Sequence, residues 1–519
     1  MPILRSQLRW VLVMLIACAI AAAVFAIQPR PFNIDASGFT VFGRGMLEGH
    51  APYADLFDHK PPGIYVMGAI AWALDPGDSS VSFQLLTAIM IGISATACGW
   101  LVAEATGRFR VGAAAALVAV GGLSLPVLSA GGGMTETFAT AGLAVCFAAA
   151  VGMTKGRGGY IWPLVAGASF AWAMNMSLLA VAAVPALAVV WSSIPIDGGA
   201  YPLARSTWRT WLRRRLLDRR LLVAIAGSAG VTLVFWLPVL ASGSLAAALD
   251  AVLRYNSLYQ SAGTFRLSDW IHGFAQLWPF IPAAAILLVP VGRRSILGFE
   301  LARSKLALAI ALWLLAELAM LLYGRRIYIH YLTLLIAPSA IVFGLALANL
   351  WQDGRRAGFR IVGAVLLAAT VAALAWHTRP TPSKASLITP NQQLAAYVRA
   401  NSGPHDSIYA WGADTDLYVR SDRDPAGPYF FFLPLSEPGY GPEATAKTLA
   451  VWQAKPPRLV ITASSTVGQR NSLQPLDAVD GSASGAATVD TLEPLRAFIK
   501  NHYVLVAALP GGQVWRYRG

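Results

Sequence analysis

Between Tyr53 and Gly63 the chain reads Tyr-Ala-Asp-Leu-Phe-Asp-His-Lys-Pro-Pro-Gly. Two carboxylates, an imidazole and an ammonium crowd together, and Pro61 and Pro62 fix the backbone directly after Lys60. A lysine presented at a set angle ahead of an apolar stretch suits a phosphate oxygen at a membrane surface, with Asp58 and His59 beside it for the rest of a substrate. Asp35, a few residues past the first hydrophobic run, is placed at headgroup level, where loss of water makes a carboxylate a better base. The run Gly131-Gly132-Gly133-Met134-Thr135-Glu136 joins three residues that allow close backbone approach to an acid at the start of an apolar run, where acids are rarely decorative. Finally, Gly324-Arg325-Arg326-Ile327-Tyr328-Ile329-His330-Tyr331 offers two guanidinium forks for phosphate oxygens. His330 adds a donor there, and Tyr328 and Tyr331 add a surface on which a sugar can stack. The stretch from Arg254 to Tyr259, including Tyr255, has the same character and is less specific.

These groups make sense together as group-transfer equipment. An inverting transfer needs one carboxylate to take the proton of the attacking hydroxyl. A phosphate leaving group is already charged, so it needs cations rather than a proton donor.

The elements that must position them are membrane helices. Of 519 residues, 56% are hydrophobic and only 13% charged, about half the charge of an ordinary globular domain, which excludes a soluble particle of this size. Eleven apolar runs approach the ~20 residues that cross a bilayer: roughly 10–27, 81–104, 111–129, 137–153, 161–174, 177–192, 221–241, 272–291, 306–323, 332–350 and 361–376. The pair 161–174 and 177–192 divides at Asn175. Residues 63–74 are apolar but too short to span, and read as an interfacial or re-entrant helix in a long external loop, 28–80. Residues 39–48 read as a second short amphipathic piece on the membrane.

The net charge is +14, but residues 377–519 carry 13 basic and 11 acidic side chains, so the excess lies among the hydrophobic runs. With the N-terminus in the cytoplasm, cytoplasmic segments hold 20 Lys and Arg and external loops seven, as the positive-inside bias requires. That pattern is explained by topology and lipid headgroups, and nucleic-acid binding is excluded. Cys18, Cys98 and Cys146 fall inside apolar runs, so neither a disulfide in the external part nor a metal-ligand spacing is expected.

Composition changes near Trp376. Residues 377–390 read as a linker, and 391–519 as a small extracytoplasmic α/β domain. Its helices are expected at Gln392–Asn401, Glu443–Ala454 and Leu492–Asn501, and its strands at Ser407–Trp411, Arg458–Thr462, Val504–Leu509 and Val514–Tyr517. A surface loop is expected at Asp480–Val489. The whole reads as an α-helical polytopic membrane protein, residues 1–376, followed by that domain.

Asp35 after the first run, the Gly-His-Ala-Pro-Tyr-Ala-Asp-Leu-Phe-Asp-His-Lys-Pro-Pro-Gly element from Gly49, Thr135-Glu136, Arg325 to Tyr331 and the tail segment Tyr409–Tyr418 together carry a resemblance. The chain resembles the GT-C superfamily of polytopic glycosyltransferases. More closely, it is similar to the bacterial branch related to protein O-mannosyltransferases, aminoarabinose transferases and Rgt-type sugar transferases (family 39-like). The resemblance implies a multi-pass protein of the plasma or inner membrane, with its N-terminus cytoplasmic and its C-terminal domain extracytoplasmic. It implies transfer of a sugar from a polyprenyl-phosphate donor to a cell-envelope glycan, lipid or protein, with inversion. Asp35 then matches the catalytic first-loop aspartate, with Glu136 as the competing acid. Lys60 matches the donor-phosphate contact, joined by Arg325, Arg326 and His330, and Asp58, His59, Tyr328, Tyr331 and Tyr255 contact substrate. Some relatives carry a second acid directly after the aspartate; here Ala36 follows, so no metal cofactor is expected. A transporter or flippase of a lipid-linked sugar is the rival reading. It requires charged or broken helices at mid-membrane, where Glu317 is the main acid.

Overall fold

The computed structural model describes residues 2–27, 32–156, 159–194, 216–263, 266–285, 290–291, 294–295, 305–324, 328–352, 357–379, 388–412, 414–463 and 491–519. Among the described residues, six helices are long and apolar enough to cross a membrane: Gln7–Ile27, Ser80–Thr106, Thr135–Thr154, Arg219–Ala241, Lys305–Tyr323 and Ile329–Leu350. Thr135–Thr154 is the central one, 89% buried where Gln7–Ile27 and Arg219–Ala241 are 17% buried. Its alanines and glycines let neighbours approach closely, as membrane helix pairs need. A Cβ on Gly142, for example, would sit 2.6 Å from the Ser169 carbonyl oxygen.

The remaining runs are shorter. The expected division at Asn175 holds: helix Ile161–Met176 ends there, and a 3-10 stretch, Leu178–Ala183, leads into Val184–Ser192. Asn175 itself is buried and accepts a hydrogen bond from Trp236 Nε1 (2.9 Å), tying this break to the helix Arg219–Ala241. The run expected at 272–291 is not one helix. Pro279 and Pro282 each open a new turn, leaving Leu267–Ala275, Trp278–Phe280 and Ile281–Ala285 as separate pieces, because a proline inside a helix removes a bond and clashes with the preceding turn. Cys18, Cys98 and Cys146 are free thiols on helices.

The first loop holds two helices. Gly63–Leu74 lies where expected, whereas the other begins at Ile34, not 39, and runs to Leu47. It does not lie on the membrane surface: Ala36 to Gly45 are buried throughout. Gly43 and Gly68 explain this, since a Cβ on either would collide with the other helix's backbone. The two helices therefore touch backbone to backbone.

The C-terminal part is an α/β unit. Strand Leu459–Ala463 pairs in parallel with Ile408–Trp411 and antiparallel with Gly512–Tyr517, which forms a hairpin with Tyr503–Leu509. Helices Ile388–Ala400, Gly441–Ala454 and Glu493–His502 form close to where they are expected, and the first starts inside the linker. Residues 480–489 lie outside the described residues.

This unit docks on the first loop. Arg44, 3% exposed, bonds Asp424 (2.6 Å) and the Arg423 carbonyl (2.9 Å), and lies 3.4 Å from Asp422. Arg420 bridges Asp78 (3.0 Å) and Asp416 (2.9 Å). Thr415 Oγ1 donates to the Ile34 carbonyl (2.7 Å). A second seam uses Arg254, paired with Asp250 and Glu443, and Tyr440, whose hydroxyl donates to Asp250 (2.8 Å).

Candidate active site

The segment before the double proline is pinned at nearly every residue. The Phe57 amide donates to the Pro428 carbonyl (2.8 Å), and Asn256 Nδ2 donates to the His59 carbonyl (2.8 Å). The Lys60 amide donates to the Tyr65 hydroxyl (3.0 Å), and the Tyr53 hydroxyl donates to the Lys60 carbonyl (2.8 Å). Tyr65 stacks on Phe42 with ring centres 3.8 Å apart, so a buried aromatic layer sets the angle of Lys60. The presentation that the prolines predict is therefore enforced from both sides of the backbone.

Lys60 sits in the wall shared by two cavities. The first, about 340 Å³, is lined by Asn33, Asp35, Phe39, His330, Tyr328 and the tail residues Thr415 and Phe431–Leu433. The second, about 250 Å³, is lined by Glu136, Ser177, Asn256, Gln260 and the apolar Leu178, Val181, Met320 and Tyr323. His59, Lys60, Tyr259 and Tyr331 border both. The outer side of the second cavity is lipid-like: Leu178, Val181 and Tyr323 are 37%, 41% and 79% exposed.

Asp35 stands in the first turn of the helix Ile34–Leu47, capped by Asn33, whose Oδ1 accepts from the amides of Asp35 (2.8 Å) and Ala36 (3.3 Å). Its side chain is exposed to the first cavity rather than desolvated by packing. Glu136 opens the helix Thr135–Thr154 and is buried, with Oε2 4.0 Å from His330 Nε2. The triple glycine makes this arrangement possible. Gly133 has φ +84°, and a Cβ there would strike Ala36, the neighbour of Asp35.

Among the described lining residues Lys60 is the fixed cation, set among Asp35, Asp58 and Glu136. Burial opposes the Lys60 ammonium, but Tyr331, Glu136, Asp35 and Asp58 outweigh it and hold the group above the ordinary lysine range. Burial pushes the His59 imidazole below its usual value, although Asp58, with Oδ1 3.1 Å from Nδ1, pulls the other way. His59 is thus neutral near pH 7, a positioned hydrogen-bonding group rather than a second cation.

The structure gathers Asp35, Glu136, Lys60, Asp58, His59, Tyr328, His330 and Tyr331 around these two cavities. Tyr255 lies behind them, fully buried against Phe57, His59 and Tyr440, so its contribution is to packing. Arg325 and Arg326 lie outside the described residues. Sequence reasoning missed Asn33, Gln260 and the tail wall. Gln260 had a signal, following Tyr259, which stacks one turn after Tyr255. Among the described residues, a metal finds no three-ligand seat beside Asp35. The one grouping of that kind, Glu48, His50 and Asp424, lies at the loop–tail seam, where Arg44 engages both acids.

No protein-family model matches the chain, and no curated protein matches it in sequence. Solved structures do match in fold. ArnT from Cupriavidus metallidurans bound to undecaprenyl phosphate superposes with a TM-score of 0.60 at 13% identity, covering 98% of this chain and 97% of that one. The same protein in the apo state gives 0.56 at 15% identity over 98% of each. The archaeal oligosaccharyltransferase AglB from Archaeoglobus fulgidus, in complex with an inhibitory peptide and a dolichol-phosphate, gives 0.51 at 14% identity, over 89% of this chain and 70% of its own. The chain therefore shares the fold of these structural neighbours, a multi-pass helical membrane module followed by a C-terminal domain.

Proposed function

We propose that the chain is a membrane glycosyltransferase that moves a sugar from a polyprenyl-phosphate donor to a glycan, lipid or protein of the cell envelope, on the extracytoplasmic face and with inversion. The observation that carries this reading is the position of Lys60. It lies between a cavity that holds an exposed carboxylate and one whose outer lining is apolar and exposed. The prenyl chain enters past Leu178, Val181 and Tyr323, and its phosphate meets Lys60 and His330, with Arg325 and Arg326 adjacent in sequence.

The acceptor hydroxyl enters the first cavity. Asp35 takes its proton as the oxygen attacks the anomeric carbon from the face opposite the phosphate. The bond from that carbon to the phosphate oxygen breaks, and the departing anion stays on Lys60, which needs no reorganisation to receive it. Asp58 and His59 fix the lysine, while Tyr328 and Tyr331 offer ring faces to the sugars.

The direct test is incubation of purified protein with undecaprenyl-phosphate-linked sugars and envelope extracts, watching for release of undecaprenyl phosphate. Movement of a labelled lipid-linked sugar across vesicles without any release would favour a flippase instead. The orientation has its own test: a cysteine introduced at Ser402 should react with an impermeant reagent on intact cells.

A further inference from the structure

We propose that Glu136, with Gln260, is the seat of the donor's sugar ring and sets which sugar is accepted; this rests on the reading of the second cavity as the donor site. Glu136 is 1% exposed, yet both its carboxylate oxygens lack a hydrogen-bond partner among the described residues. Gln260 Oε1 is likewise buried and unpartnered there. Both line the cavity that also exposes Lys60. Buried polar atoms are normally satisfied, so two acceptors on one cavity wall define what its occupant must bring, namely hydrogen-bond donors.

Of the three parts of a lipid-linked donor, only one can supply them. The prenyl chain has no polar hydrogen, and the phosphodiester carries acceptor oxygens alone. The sugar's hydroxyls donate. Glu136 is also rigidly placed for this role. It sits in the first turn after the glycine run, and Thr140 Oγ1 donates to its carbonyl (2.7 Å). Asn256 is not an alternative reader of ligand acceptors, because its Nδ2 is committed to the carbonyls of His59 (2.8 Å) and Val252 (2.9 Å). A site built to accept from a hydroxyl rejects the analogue that lacks it far more strongly than an apolar pocket rejects a misfit, because the buried acceptor is then left bare. Glu136 is therefore a specificity-determining contact, distinct from the base Asp35 on the other cavity.

The test uses full-length protein in nanodiscs and three probes: undecaprenyl phosphate without sugar, undecaprenyl-phosphate-linked hexoses and pentoses, and single-deoxy analogues of whichever sugar binds best. Glu136→Gln should bind bare undecaprenyl phosphate at least as tightly as the wild type does, which also shows that it is folded. It should bind the sugar-loaded donor roughly tenfold to a hundredfold more weakly, the loss of one charge-assisted hydrogen bond. One deoxy analogue should lose the same factor on the wild type and nothing further on the variant. Gln260→Leu should show the same selectivity with a few-fold effect. The proposal is overturned if either variant weakens bare and loaded carrier equally, if neither variant discriminates them, or if Glu136→Gln abolishes turnover with donor binding intact. A wild-type protein that ignores undecaprenyl phosphate altogether overturns the donor reading itself, and the sugar seat with it. That result is separable from the others, in which the bare carrier binds normally.

Discussion

The two cavities that meet at Lys60 are made from different parts of the chain. The Asp35 side is enclosed by the first loop, by Tyr328 and His330, and by Phe431, Phe432 and Leu433 from the C-terminal unit, with an exposed carboxylate inside. The Glu136 side is enclosed by membrane helices, with its carboxylate buried and its outer lining apolar. Under the proposed function the first takes a polar acceptor from outside the bilayer and the second a lipid-linked donor from within it. The contrast shows how a single cation can serve both. On that reading Lys60 holds the donor phosphate at the junction of the two cavities, while the two acids stand apart, Asp35 on one side and Glu136 on the other.

The largest effect should come from Asp35→Asn. The amide keeps the shape but cannot accept the proton, so turnover should fall by ~10²–10⁴-fold while donor affinity is unchanged. A nearly fully active variant would erase the distinction between the cavities. Lys60→Met tests their shared wall: donor binding should weaken by about 1.5–3 kcal/mol, the range for hydrogen bonds to charged groups. Because the folded protein holds Lys60 above the ordinary lysine range, the wild-type group stays charged as pH rises, so donor affinity measured from pH 7 to 9 should show no loss from its titration.

Gly133→Ala sharpens the comparison from the backbone. It forces a side chain into φ +84° and against Ala36, at a cost of about 1–3 kcal/mol. Thermal unfolding in detergent should shift downward, and turnover should drop with it, because the strain falls between the two acids.

The smallest effect concerns the docking of the C-terminal unit. Burial pushes Asp416 up to about 6 against the pull of Arg420. A raised carboxylate pKa means that the folded state holds the proton more tightly. Its contribution is therefore complete below the ordinary aspartate value of 3.8 and is lost as pH rises through about 6. Asp416→Asn should flatten the fall in thermal stability between pH 5 and 7.5 by about 1 kcal/mol. An unchanged slope would remove Asp416 from the account.

What was legible in the sequence was local. The double proline, the triple glycine and the alternating tail strands each write their geometry into adjacent residues, and Lys60, Gly133 and the strand Ile408–Trp411 stand accordingly. The helix Ile34–Leu47 begins earlier than expected because Ala36 to Gly45 are buried on every face, which removes the polar stripe that marks a surface helix. The Asn33 cap was the missed signal. The run at 272–291 looked continuous because hydropathy does not register prolines. The segment Tyr409–Tyr418 carried a likeness to family tails, but nothing local brings Thr415 to Ile34, 381 residues away in sequence.

That separation has a consequence in time. At ~5–20 residues per second, roughly 20–80 s of synthesis lie between the appearance of residue 34 and that of residue 415. During that interval Asp35 and Lys60 are already made, yet the first cavity still lacks Thr415, Phe431, Phe432 and Leu433. An unfinished chain that lacks the C-terminal quarter therefore lacks this wall of the first cavity.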